Sequence, residues 1–510
     1  MLRYQSIIFL GLLFAYLFFG QLIAAWPFTM DDSFISLTYA KNWVEHGSIA
    51  WNNGTLLVEG YSNFSYVILA ALALKVGLDA VIVLKLVSIA LFAVTLWFLY
   101  RLSRLWVTAH YAFIPCLWLL CYKGQILWTV SGLETSAFQC LLMLSTYYVL
   151  RGLGYKAVSY PLRYETHRPI NFKAFFLCGF YLSLAGLTRP ETPAIMLAML
   201  LILCVFYGDF HMEKMRFFQA MGIVLLVISL VYVPYFLWRW HYYGRFFPNS
   251  VYCKWLVQDS KGVLDGQYLA LIWPLVLLAL PYWFSEKDKK TLFLISPSIL
   301  YLVLLYDADI ISGFDNRLFL PAFCLLLPLP ALGLIKLSQY LMQNERYTRI
   351  SVYLGSFIVG LFLLPNYSLK SYHEYAKSSL KSIDYRLKLV SWLKPHLKAN
   401  ETMVIADSGF IPYVLDVNVI DSYCLNNPWM TQAPIHYSYP KFVDWVIDKQ
   451  KPEWIIISIW ENNTRGYIEP AARHFLTNQR FFNRYHLVHT VSSRINSNAY
   501  QYQIYGRKNG

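Results

Sequence analysis

Long runs without charged side chains alternate with short basic segments along the first two thirds of the chain. The first run covers residues 4–30 and ends at Asp31 and Asp32. About 20 apolar residues are enough to cross a bilayer, so residues 1–365 predict an α-helical polytopic membrane domain. We expect about eleven transmembrane helices, near residues 5–25, 81–100, 111–121, 136–150, 175–187, 194–207, 218–237, 269–284, 292–306, 318–335 and 352–364.

The segment after the first run predicts helices that lie along the membrane rather than across it. Phe34, Leu37 and Lys41 recur at helical spacing, and Gly47 is a typical helix stop. The apolar run at 64–76 is short for a span. We therefore expect juxtamembrane helices at about 31–76.

The hydrophobic runs shorten and charges return from about residue 366. Residues 402–406 and 454–458 are short apolar runs typical of buried strands, and residues 385–397 have the periodicity of an amphipathic helix. This pattern predicts a soluble α/β domain at 366–510, on the extracytoplasmic side of the membrane.

Composition supports a membrane protein and excludes a nucleic-acid partner. Hydrophobic residues make up 57% of the chain and charged residues 14%, whereas soluble domains carry about 25% charged residues. The net charge of +14 arises from Lys and Arg in the predicted cytoplasmic loops. The same topology places Glu59, Glu134, Glu191 and Asp315 with the acid pair on the outer face, which predicts a polar site there.

The cysteines indicate packing rather than metal binding. Six of the eight lie in or near apolar runs, and no metal-binding spacing occurs. Cys253 and Cys424 lie in predicted outer segments, and the sequence leaves open whether they form a disulfide.

The pair Asp31 and Asp32 has two interpretations. Aspartate at a helix start is a common N-cap. Alternatively, one carboxylate accepts a proton from an attacking sugar hydroxyl while the other helps to hold a divalent cation. Other predicted outer segments carry cations that suit a lipid-linked phosphate, namely Arg189, His241, Lys254 and Arg317.

The order of several short segments resembles the GT-C superfamily of glycosyltransferases that use polyprenyl-phosphate sugars. The resemblance is strongest to the branch that contains the mycobacterial terminal arabinofuranosyltransferase. It rests on the acid pair followed by VEGYSN at 58–63, GLET at 132–135, TRPE at 188–191, YG at 243–244, PN at 248–249, NRLF at 316–319 and IADSG at 405–409.

This resemblance implies roles for individual residues. Asp31 is the expected catalytic base, and Asp32 is expected to support it or to help bind Mg²⁺, Mn²⁺ or Ca²⁺. The expected ligands of the donor phosphate and sugar are Arg189, His241, Lys254, Arg317, Glu134, Glu191, Tyr61 and Asn249.

The resemblance also implies the reaction and its location. We expect transfer of a pentofuranose such as arabinose, or a hexose such as mannose, from a polyprenyl-phosphate donor. The expected acceptor is a cell-envelope glycan or glycolipid such as lipopolysaccharide, on the outer side of a bacterial inner membrane. The main alternative is a multi-pass transporter or lipid flippase, although the sequence shows no internal repeat. A structural membrane protein with a partner-binding outer domain is a third alternative.

Overall fold

The chain forms two compact units. The computed structural model describes residues 13–52, 54, 56–158, 169–210, 213–254, 262–286, 288–306, 308, 313–364, 369–398, 401–432, 435, 438–461, 466–495 and 498–508. The helical unit comprises Met1–Ala25, Lys85–Trp238 and Val257–Tyr372, and the sheet unit comprises Trp26–Leu84, Arg239–Leu256 and His373–Gly510. Residues 5–12 of the predicted first span lie outside the described residues. The predicted domain boundary near residue 365 stays a prediction.

Helices account for nearly all regular structure before residue 394. They are α1 (Leu13–Ala25), α2 (Ser33–His46), α3 (Phe64–Lys75), α4 (Ala80–Ser103), α5 (Ala109–Cys121), α6 (Lys123–Val130), α7 (Thr135–Gly152), α8 (Phe172–Thr188), α9 (Thr192–Val205), α10 (Lys214–Tyr243), α11 (Asn249–Lys254), α12 (Val263–Ser285), α13 (Leu292–Leu304), α14 (Leu320–Leu326), α15 (Pro328–Met342), α16 (Glu345–Leu363) and α17 (Lys370–Leu393).

Several of these helices have the length and apolarity of membrane spans. Among the described residues, α4, α10 and α12 each meet both criteria alone. Two broken pairs also qualify when each is counted as one span, which gives up to five: α5 with α6, bent by 69°, and the stretch Phe314–Leu326 with α15, bent by 44°. Helices α1, α3, α8 and α9 are apolar but shorter. The count of eleven spans stays a prediction.

Aromatic side chains fill the core of the helical unit. Trp118, Trp128, Phe138 and Phe175 are almost completely buried. The rings of Tyr268 and Phe319 stack with centroids 4.2 Å apart. Large rings bury much apolar area each and prefer such offset arrangements, so they fix the helices against one another.

The described residues of the sheet unit form a mixed sheet of six strands. These are β1 (Thr402–Ile405), β2 (Asn418–Asp421), β3 (Trp454–Glu461), β4 (Gly466–Ile468), β5 (Tyr485–Ile495) and β6 (Asn498–Arg507). Their order is β2-β1-β3-β6-β5, with β4 paired to β3. The first three strands of this order are parallel, and β6 is antiparallel to both β3 and β5. Strands β1 and β3 confirm the two strands predicted from apolar runs.

Short helices complete the sheet unit. They are α18 (Phe410–Val414), α19 (Tyr439–Trp445), α20 (Pro470–Leu476) and α21 (Gln479–Arg484). The structure joins Cys253 and Cys424 by a disulfide, with their Cα atoms 6.0 Å apart. This answers the question that the sequence left open.

The long helix α17 starts well before the position predicted from the sequence. The prediction began at residue 385, whereas the helix begins at Lys370. The extra turns bury Ala376 and Ser379, which are small or polar residues that an apolar periodicity misses. In contrast, α2 ends as predicted, because Gly47 adopts a left-handed conformation with φ 72° and its amide bonds to the carbonyl of Trp43.

Candidate active site

The acid pair lies in the turn that starts α2. The carbonyls of Asp31 and Asp32 accept hydrogen bonds from the amides of Phe34 (2.9 Å) and Ile35 (3.2 Å), so both residues belong to the first helical turn. The side chain of Asp32 makes no capping hydrogen bond. Asp32 is the N-cap residue of α2, so the pair lies at a helix start as the first interpretation expects, but without a side-chain capping bond from Asp32.

Residues on either side of Asp31 attach this turn to the C-terminal part of the sheet unit. The amide of Thr29 donates to the Ser379 hydroxyl at 3.0 Å, and that hydroxyl donates to the Thr29 carbonyl at 3.1 Å. Beyond the acids, the ring of Phe34 packs edge-on against Phe410, with centroids 5.1 Å apart. The acid turn is therefore fixed at both ends.

The Asp31 carboxylate contacts the loop that follows β1. Its Oδ1 accepts a hydrogen bond from the Phe410 amide at 3.0 Å. A Cβ atom at Gly409 would overlap the same carboxylate, so the close approach requires glycine. The IADSG segment that contributes to the family resemblance thus has a physical role in this structure.

Arg386 of α17 lies between two carboxylates. Its Nε is 3.1 Å from Oδ1 of Asp31, and its Nη2 is 3.0 Å from Oδ1 of Asp407. The Tyr502 hydroxyl donates a hydrogen bond to the other oxygen of Asp407. One guanidinium thus pairs with two carboxylates. The three side chains together carry one net negative charge when both carboxyls are ionised.

The two carboxyls of this group differ in their tendency to hold a proton. Burial raises the pKa of Asp31 well above its ordinary value, the charge of Asp407 adds to this, and Arg386 opposes it. Burial acts to raise the pKa of Asp407 too, but Arg386 and hydrogen bonds outweigh it and lower the pKa. Of the two carboxyls, Asp31 is therefore the one that accepts a proton more readily. The Asp31 side chain is 20% exposed, so a substrate hydroxyl can reach it.

Asp32 has a different environment from its neighbour. It is half-buried, and within the described part of the chain its carboxylate has no hydrogen bond or ion pair. The two acids are thus not equivalent, since Asp31 is held by α17 and the loop after β1, whereas Asp32 has no such contacts among the described residues.

Among the described residues, no three His, Cys, Asp or Glu side chains come together as metal donors. Arg386 provides a positive charge beside Asp31. The divalent cation predicted at Asp32 stays a prediction, and we assign it no step in the reaction.

Four of the predicted ligand residues meet in the helical unit. Arg189 donates to Glu134 at 2.7 Å and also to Glu191. Arg317 Nη2 lies 3.4 Å from the same Glu134 oxygen. The structure therefore brings together two arginines and two glutamates that are far apart in sequence, and their formal charges balance.

A strained loop positions Arg317 in this cluster. The two preceding residues, Asp315 and Asn316, have φ of 48° and 55°, a region that non-glycine residues seldom occupy. Lys123 holds the Asp315 carboxylate at 3.2 Å, and the Trp128 ring lies 4.9 Å below the guanidinium of Arg317. Backbone strain of this kind is frequent at functional sites.

The remaining predicted ligands lie in the sheet unit and are not gathered into one group. Tyr61 is buried and bonds to the Tyr243 hydroxyl at 3.1 Å. The Asn249 amide bonds to the Cys424 carbonyl at 2.8 Å and accepts from Thr431, so it organises the disulfide region. His241 is exposed at the end of α10. The side chain of Lys254 lies outside what the structure describes.

A buried acid near the Asp407 loop was not among the predicted site residues. Glu469 accepts a hydrogen bond from the Ser422 hydroxyl at 2.6 Å. Burial, together with the nearby charges of Asp421 and Asp407, raises the pKa of Glu469 to about 8. No local sequence signal marks this residue.

The raised pKa of Glu469 predicts a pH-dependent stability. The folded chain keeps the proton up to about pH 8, whereas the unfolded chain releases it near the ordinary value of 4.5. Stability from this group is therefore lost as the pH rises through that window, by at most about 1.4 kcal/mol per pH unit. We expect Glu469→Gln to melt above the wild type at about pH 9 but close to it at about pH 5. An unchanged pH slope in this variant, with Glu45→Gln as the exposed control, would contradict the prediction.

Comparisons with known proteins show the fold. Residues 373–505 match the family described as Domain of unknown function (DUF8728). No curated protein sequence matches the chain. The crystal structure of ArnT from Cupriavidus metallidurans bound to undecaprenyl phosphate aligns with a TM-score of 0.61 at 11% identity, covering 98% of each chain. Its apo structure aligns with a TM-score of 0.56 at 12% identity, with the same coverage.

The structure of a second protein extends the likeness. The arabinofuranosyltransferase AftD from Mycobacteria aligns with a TM-score of 0.50 at 14% identity, covering 96% of this chain and 41% of that one. The chain therefore shares the fold of ArnT and AftD, and the resemblance is confirmed at the level of the fold.

Proposed function

We propose that the protein is a membrane glycosyltransferase that moves a sugar from a polyprenyl-phosphate donor to a glycan or glycolipid acceptor. The observation that carries the proposal is the full-length likeness in fold to ArnT, whose structure holds undecaprenyl phosphate. The environment of Asp31 supports it, because a buried, partly accessible carboxyl with a raised pKa suits general-base catalysis.

In the proposed reaction, Asp31 is the base. As the acceptor hydroxyl attacks the anomeric carbon, its proton passes to the Asp31 carboxylate. The bond from that carbon to the phosphate oxygen breaks, and polyprenyl phosphate leaves with the electron pair. A single displacement of this kind inverts the anomeric configuration, which analysis of the product checks. Asp32, which is open to a ligand, is proposed to orient the acceptor.

The arginines of the helical unit are the proposed ligands of the donor phosphate. Guanidinium groups bind phosphate oxygens through paired hydrogen bonds. Because Glu134 and Glu191 balance the charges of Arg189 and Arg317, a phosphate that binds here has to exchange with a glutamate. The periplasmic placement of the site, in a bacterial inner membrane, is part of the same proposal.

The decisive experiment supplies purified protein in lipid nanodiscs with a small panel of polyprenyl-phosphate sugars, including arabinofuranose and mannose donors. We expect release of polyprenyl phosphate and a new glycosidic bond with at least one donor. Free polyprenyl phosphate should inhibit the wild type more strongly than Arg317→Gln. Movement of a lipid across the bilayer without any bond formation would instead identify a flippase.

A further inference from the structure

Among the described residues, the contacts of the Asp31 side chain come from one part of the chain. Arg386, Asp407, Gly409 and Phe410 lie within residues 373–505, the segment that matches a family of unknown function. Tyr502, which bonds to Asp407, lies there too. The acid turn itself is outside that segment, so the contacts join a sequence-distant domain to the proposed base.

We propose that the domain at 373–505 is part of the catalytic centre, in which Arg386 and Asp407 act as positioning residues that fix the Asp31 carboxylate toward the acceptor. This inference rests on the proposed function of Asp31 and deepens it. It gives a role to a segment that would otherwise be an appended binding domain.

Positioning of the carboxylate rests on one hydrogen bond and one ion pair. Oδ1 of Asp31 accepts a hydrogen bond from the Phe410 amide and forms an ion pair with Nε of Arg386, an atom that makes no hydrogen bond of its own among the described residues. The same guanidinium is held from its other side by Asp407, which is held in turn by Tyr502. A chain of contacts across α17, the β1 loop and β6 thus sets the orientation of the carboxylate. Its second oxygen packs against Gly409, and the side chain stays 20% exposed to a substrate.

The charges of Arg386 and Asp407 also support a positioning role for these two residues. Asp407 and Arg386 form an ion pair, and this pairing helps to hold the pKa of Asp407 below its ordinary value while burial raises that of Asp31, so Asp31 is the expected acceptor of the proton. Asp31 is then the one member of the group that changes its charge during transfer. The pair therefore stabilises a fixed geometry through the reaction instead of competing for the proton.

Chemical rescue tests the proposal. In Arg386→Ala of the full chain, we expect kcat to fall by about 10²-fold, because small misplacements of a reacting group have effects of this size. The KM for the donor should stay unchanged. Ethylguanidinium at low millimolar concentration should restore part of the lost kcat, and Arg386→Lys should restore less, because an ammonium lacks the planar fork.

A matched control separates positioning from general stability. Arg480 forms an exposed ion pair with Asp448 at 2.8 Å in the same unit. Arg480→Ala should keep wild-type kcat and show no response to ethylguanidinium. A wild-type kcat in Arg386→Ala, or a loss that ethylguanidinium does not recover in folded protein, would overturn the proposal.

A structural readout makes the test independent of turnover. Amide hydrogen exchange at 31–35 and 409–413 should increase in Arg386→Ala and stay unchanged in Arg480→Ala. Unchanged exchange in both segments overturns the inference even if no donor is found. If Arg386→Ala does not fold, the near-isosteric variant Asp407→Asn replaces it. A lower kcat with an unchanged KM in that variant supports the proposal. A wild-type kcat overturns it. Absence of transfer by the wild type contradicts the proposed function instead.

Discussion

Replacing Asp31 by Asn is expected to abolish sugar transfer while leaving the fold intact. General-base catalysis contributes about 10²- to 10⁴-fold, so kcat should fall within that range. The side chain of Asn has nearly the same shape and still offers an oxygen to the Phe410 amide, which bonds Oδ1 of Asp31 at 3.0 Å in the native protein. Arg386 keeps Asp407 as a partner. The loss should therefore appear in turnover and not in expression or melting temperature.

The adjacent carboxylate provides the matched control for this result. Asp32→Asn changes the same charge one residue away, at a side chain that makes no capping hydrogen bond. We expect a smaller loss, about 10-fold, with the change mainly in the KM for the acceptor. Full activity in Asp31→Asn, or a large loss of kcat confined to Asp32→Asn, would remove Asp31 as the base.

Much of the fold follows from local patterns, but the way helices break does not. The apolar run ending near Cys121 predicts a single helix, and the structure continues it with Lys123–Val130 after a bend of 69°. Hydropathy carries no information about such an angle, because it depends on how the two pieces pack. For this reason the sequence predicts where helices lie, but it does not predict which helices join into one complete span.

The candidate site, too, could be predicted only in part from the sequence. Asp31 is visible in the sequence because it ends a charge-free run, and its functional alternatives follow from that position. Arg386 lies within a predicted amphipathic helix that contains several cations, and nothing in the sequence distinguishes it from the others. Asp407 belongs to a segment that contributes to the resemblance, but the resemblance assigned it no role. Only the folded chain brings these three together, through contacts between distant segments.

A buried ion pair makes the sheet unit sensitive to the loss of either partner. Arg239 donates through Nε to both oxygens of Glu59, at 3.1 and 3.0 Å, and both residues are nearly inaccessible. Burial raises the pKa of Glu59 even though Arg239 opposes the change. The pair thus barely offsets the cost of burying its charges.

Removing one partner should expose that cost. Glu59→Gln leaves the guanidinium of Arg239 buried without its counter-charge, and we expect a loss of about 3–5 kcal/mol in the free energy of unfolding. The double variant Glu59→Leu with Arg239→Leu removes both charges and should recover most of that loss. Denaturant titration of the protein in detergent measures each value, with Asp448→Asn at an exposed ion pair as a control expected to lose about 1 kcal/mol or less. If the double variant proved less stable than Glu59→Gln, the pair would be a net source of stability, because its attraction would then exceed the desolvation of two charges.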